Sequence, residues 1–144
     1  MWSDTLLAAE RSHLIRLVLW AATSAVVGTG LIATLTLRRM TAPILLWFGI
    51  QSLVWGLAEL VLAAIAFQAL AMRDVSGATR LDRLTWFMAG LDAGIVATGV
   101  AVVAVGWMHG RRPGAVGAGL GIVVQGLGLF LMNLTFASLL ARLV

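Results

Sequence analysis

Four long apolar runs, at 14–37, 44–71, 84–107 and 114–140, constrain this chain more than any other feature. Each exceeds the roughly 20 residues that carry a helix across a bilayer core about 30 Å thick. Lipid offers the backbone no hydrogen bonds, so a spanning segment is either a helix or a strand of a closed barrel. Barrel strands are about 10 residues long and alternate in polarity. These runs are longer and do not alternate, so they predict four transmembrane helices. The composition agrees: 61% of the 144 residues are hydrophobic and 11% are charged. A soluble domain is about 45–50% apolar and about 25% charged, and a small one lacks the interior to hide such an excess. A soluble enzyme, a disordered tail and a nucleic-acid-binding domain are poor readings on that ground.

The residues between the runs punctuate them. Arg38-Arg39 with Pro43, and Gly110-Arg111-Arg112 with Pro113, read as tight turns that each open a helix at proline. Between the second and third runs, Ser76-Gly77 reads as a turn and Thr79-Arg80-Leu81-Asp82 as a capping box with Asp in place of the usual Glu or Gln. Connections this short make neighbouring helices antiparallel. The expectation is one domain over 1–144, an all-α, up-down-up-down four-helix bundle with both termini on one side.

All ten basic residues are Arg, and the net charge is +4. The arginines sit in short clusters beside apolar runs, which is topology charge and not a nucleic-acid face. Counting bases places six on the terminal side and four on the other, which favours cytoplasmic termini. The expected setting is a bacterial inner membrane. Without Lys there is no Schiff base, and without Cys no disulfide or thiolate metal site.

Two patterns concern packing. Pro43 and Pro113 are 70 residues apart, as are Val54-Trp55-Gly56-Leu57 and Val124-Gln125-Gly126-Leu127. Two hairpins related by an axis along the membrane normal produce such an offset; so does chance in a chain rich in Gly, Leu and Val. Gly90 with Gly94, and Gly117 with Gly121, have the spacing at which small residues let membrane helices approach closely. We expect both pairs to hold the monomer together. Trp47, Trp86 and Trp107 lie near helix ends, where indole suits the membrane interface, and Trp20 is read the same way.

Function must be sought among the polar residues inside the spans. Gln51, Trp55 and Glu59 are spaced i, i+4, i+8 on one stripe; Asp92 lies in the third run, and Gln125 and Asn133 lie in the fourth. From the terminal side, Asn133 is roughly 10 Å deep, Asp92 12 Å, Glu59 18 Å, Gln125 22 Å and Gln51 30 Å, at about 1.5 Å per residue. A carboxylate near mid-membrane costs at least about 2.5–3.5 kcal/mol, so it turns inward, finds a partner or takes a proton. The natural pairs are Asp92 with Asn133 and Glu59 with Gln125. His13 and His109 fall at helix ends and are read as interfacial. No cofactor, metal set or nucleophile with its base is evident, so an enzyme is not expected.

Trp55-Gly56, Ala89-Gly90-Leu91-Asp92-Ala93-Gly94 and the run from Gly117 to Leu127 resemble a family of uncharacterised four-helix bacterial membrane proteins. The resemblance covers roughly 47–136 and does not use the first helix. In that family an Asn often stands where Met88 does here, a Tyr near Val96, and an acid in place of Asn133. The resemblance implies the fold and draws attention to Asp92 and Gln125, but no reaction. The expected role is an accessory or scaffold subunit packing in the bilayer against partner membrane proteins or itself. The alternative is proton- or cation-linked transport, or binding of a small polar ligand, through Glu59, Asp92 and Gln125.

Overall fold

The structure, a computed structural model, describes residues 2–143. It contains four helices: α1 (Trp2–Leu37), α2 (Pro43–Gln68), α3 (Val75–Met108) and α4 (Pro113–Leu143). All four are long and apolar enough to cross a membrane. The chain is thus the up-down-up-down transmembrane bundle that the apolar runs predict, and a multi-pass membrane protein.

Two helices outrun their apolar stretches. α1 begins at Trp2 instead of 14, and α3 at Val75 instead of 84. Tertiary burial holds both extensions helical: Leu6 of α1 and Ala78 of α3 close a small core with Phe136 and Leu140 of α4. The cap of α3 also differs from expectation. The Asp74 carboxylate accepts the Gly77 N–H at 2.8 Å and the Ser76 hydroxyl at 3.0 Å. Thr79 lies a turn inside the helix, where its hydroxyl bonds the Val75 carbonyl at 2.9 Å. The Gly77 N–H, followed by the Ser76 hydroxyl, holds the Asp74 carboxyl below its ordinary value. At the far end both short turns place an arginine in the left-handed region, Arg39 at φ 50° and Arg111 at φ 48°, the second after Gly110 at φ 80°.

The helices form two hairpins, α1 on α2 and α3 on α4, and the hairpins meet through α4, which lies against α2 and, over a smaller area, against α1. Consecutive α2 and α3 share no packed seam. Glycines build both hairpin seams. A Cβ on Gly28 would stand 2.5 Å from the Gly49 carbonyl oxygen and from Leu53 N, and one on Gly56 2.6 Å from the Ala21 carbonyl oxygen. In the second hairpin, a Cβ on Gly99 would stand 2.9 Å from the Gly119 carbonyl oxygen and 2.8 Å from Val123 N, and one on Gly126 3.0 Å from Val96 N. Gly49 and Gly119, Leu53 and Val123, and Gly56 and Gly126 are each 70 apart, the offset read from the sequence. The offset therefore marks a repeat of packing.

α4 carries glycine on further faces as well. Gly117 abuts the Ile44 backbone, Gly121 the Gln51 stem, Gly114 the Trp47 ring and Gly128 the Trp20 ring. A helix with neighbours on several sides needs small residues on several sides, because backbone proximity drives association where lipid removes the hydrophobic gain. Gly117 and Gly121 both face α2 of the same chain. The expectation for Gly90 and Gly94 does not hold: both are exposed, and a Cβ on either would meet nothing within 4 Å. Asp92, midway between them, turns inward, so the glycines at i−2 and i+2 turn outward.

Candidate functional site

The site begins at the terminal end. Arg73, in the loop before α3, donates from Nε to Glu10 Oε2 at 2.9 Å and from Nη2 to Oε1 at 2.6 Å. This is the two-pronged geometry that makes Arg–carboxylate pairs strong. The bond to Glu10 raises the Arg73 pKa further above its ordinary value. Glu10 is itself buried, so the pair ties the α2–α3 loop to the inner face of α1.

One turn further along α1, His13 is buried and stacked flat on Phe136, with centroids 4.3 Å apart and planes 6° from parallel. Its imidazole lies within reach of Asn133. Asn133 Nδ2 donates to Asp92 Oδ2 at 2.7 Å, the expected pair. Asp92 in turn lies within electrostatic reach of Glu59. Glu59 is only 7% exposed, and neither carboxylate oxygen has a hydrogen-bond partner. Among the described residues, the one other buried side-chain oxygen or nitrogen without a partner is Asp82 Oδ1. Asp82 lies near the terminal end and is only partly buried.

Deeper still, Trp20 Nε1 donates to Gln125 Oε1 at 2.9 Å. Ser24 Oγ accepts from Gln125 Nε2 at 3.1 Å and lies 3.2 Å from its Oε1. Gln125 is 2% exposed, and these two partners from α1 satisfy its amide. The expected pair of Glu59 with Gln125 is therefore not formed. Gln51 and Trp55 are half-buried; Gln51 rests its stem on Gly121 and does not join the network.

The bundle thus holds a file of polar groups from its terminal end to mid-depth: the Glu10–Arg73 pair, His13, Asn133 with Asp92, Glu59, and the Trp20–Gln125–Ser24 cluster. The contribution of α1 departs from expectation: His13 and Trp20, expected at the interface, both turn inward. The missed signal is spacing: residues 10, 13, 17, 20 and 24 alternate three and four apart, which puts Glu10, His13, Trp20 and Ser24 on one stripe. Chemically, the file offers titratable groups and hydrogen-bonding amides in a confined interior. Among the described residues no three His, Cys, Asp or Glu side chains converge as a metal site would require.

This architecture defines a small four-helix membrane protein with an internal polar site built on three of its helices and reaching the fourth through Glu59. Over residues 16–134 the chain matches a family of unknown function (DUF6992), and it belongs to that family. The match takes in most of α1, which the resemblance noted from sequence left out. No curated protein and no solved structure matches the chain.

Proposed function

We propose that the protein binds a proton or a small cation at Glu59, with Asp92 beside it, and that this binding is linked to transport or to a change in the bundle. One observation carries the reading: Glu59 is enclosed with both oxygens lacking partners. A buried charge without partners is among the costliest groups in a fold, and an acid inside a membrane is retained where a chemical task requires it. Protonation removes the charge, and a bound cation would supply the missing partner. Asn133 positions Asp92, and His13 links the pair to the terminal end, where buried Glu10 holds the partly exposed Arg73. The proposed setting is a bacterial inner membrane with cytoplasmic termini, the orientation that the arginine count favours.

The test is flux in liposomes containing the purified protein and an internal pH-sensitive dye. Wild type is expected to carry protons or a monovalent cation down an imposed gradient, and Glu59→Gln to reduce the rate at least about tenfold, the scale of losing a group that takes part in transfer. Wild-type flux no greater than that of empty liposomes, for every cation tried, would sink the reading.

A second reading, an accessory subunit packing against a partner membrane protein or itself, draws on the open Gly90 and Gly94 face of α3. Under it, Glu59→Gln and Asp92→Asn leave assembly and cellular function intact, because amides still hydrogen-bond. Gly90→Leu would instead abolish copurification with the partner.

A further inference from the structure

We propose that the groove between α1 and α4 at the terminal end binds the phosphodiester headgroup of an anionic phospholipid. The groove encloses about 390 Å³, and Ser12 and Arg16 of α1 and Thr135, Ser138 and Arg142 of α4 line it. Helical side chains lean toward their own N-terminus. The two helices are antiparallel, so Arg16 leans outward along α1 while Arg142 leans inward along α4. Two guanidinium groups separated along the bundle axis are thereby brought to one groove.

Among the described residues, no acid lines that groove. The buried acid nearest to it on α1, Glu10, is occupied by Arg73. Among the described residues, neither Arg16 nor Arg142 has an ion-pair partner. Thr135 and Ser138 direct their hydroxyls to carbonyls of their own helix, so Arg16, Arg142 and Ser12 are the available donors. That donor set suits a phosphate oxygen cluster.

Position selects a lipid over a free anion. Arg16 lies two residues inside the apolar run that starts at 14, and Arg142 lies in the last turn of α4. The groove therefore sits where acyl chains give way to headgroups. Its wall continues onto Leu139, which is 40% exposed and offers an apolar surface to a chain. Basic pockets between helices at this level are where anionic headgroups dock. At the opposite turns Arg111 lies over the Trp107 ring at 5.9 Å, and Arg112 is the single arginine lining a groove of about 310 Å³ there, without a second guanidinium beside it.

The test is native mass spectrometry of the full chain in detergent, titrated with phosphatidylglycerol or phosphatidylcholine. Wild type is expected to retain phosphatidylglycerol with a roughly thirtyfold preference, as two surface arginines supply. Arg16→Gln with Arg142→Gln should abolish that preference, while Arg38→Gln with Arg39→Gln should keep it. Ser138→Trp, which fills the groove with both arginines intact, should also abolish it, with thermal unfolding followed by circular dichroism showing each variant folded. Equal retention of the two lipids by wild type would overturn the proposal. So would a preference that survives both groove variants, or displacement of phosphatidylglycerol by an equal concentration of inorganic phosphate, which would assign the site to a soluble anion.

Discussion

The two hairpins are alike in how they are held together and unlike in what they carry. Gly49 and Gly56 of α2 serve the first seam as Gly119 and Gly126 of α4 serve the second, 70 residues on. The polar residues break that correspondence: Glu59 stands opposite Leu129, Asp92 opposite Ala22, Asn133 opposite Ala63, and Gln125 opposite Trp55. A hairpin of this kind therefore closes without them. The seams are the part that packing demands, and the acids sit where the repeat is abandoned. That separation supports the proposed role of the interior acids.

The comparison is most easily broken at α4. Gly117→Val drives a side chain into the Ile44 backbone, so it should prevent stable folding or cost at least about 1–3 kcal/mol, the range of overpacking. Gly90→Val, on the open face of α3, should stay within about 0.5 kcal/mol. Unfolding in detergent by added dodecyl sulfate, followed by tryptophan fluorescence, measures both. Equal losses would mean that the small residues of the two helices pack alike.

The interior acids offer the next largest effect, and its sign differs between them. Glu59→Leu removes an unpartnered buried carboxylate and should raise stability by about 1–3 kcal/mol while ending function. Asp92→Leu strands the Asn133 amide and should lower stability by about 0.6–2 kcal/mol. The same unfolding assay separates them, and a loss at both positions would return Glu59 to a structural role.

The smallest effect lies at the join between the hairpins. The Asp74 carboxyl is held below its ordinary 3.8, so its stabilising contribution is present above that pH and is lost as pH falls through the lowered folded value. Asp74→Ala should slightly lower the unfolding midpoint at pH 6, and the difference should shrink as pH falls below 3.8. A difference that persists in acid would assign the effect to something other than the ionised cap.

Much of the fold was legible. Apolar length alone identifies four helices, and Pro43 and Pro113 mark the starts of α2 and α4 within a residue. Of the site, Asp92 with Asn133 was legible because their depths on adjacent antiparallel helices coincide. The partner of Gln125 was not. Depth places Glu59 and Gln125 near one level, but depth says nothing of rotation about a helix axis, and Gln125 faces Ser24 and Trp20 of α1.

By itself, then, the sequence determined that the chain crosses a bilayer four times, because the energy of placing backbone and side chains in lipid depends on local composition and length. It also contained the 70-residue offset, although only contact distances show that the offset is a packing seam. Only the tertiary structure decided which helices are neighbours, that the hairpins meet through α4, and that Gly90 and Gly94 face outward. It also decided that α1 supplies His13, Trp20 and Ser24 to the interior while Glu59 is left without a partner. Those outcomes turn on helix rotation and on close approach between residues far apart in the chain, which composition and spacing along one helix do not specify.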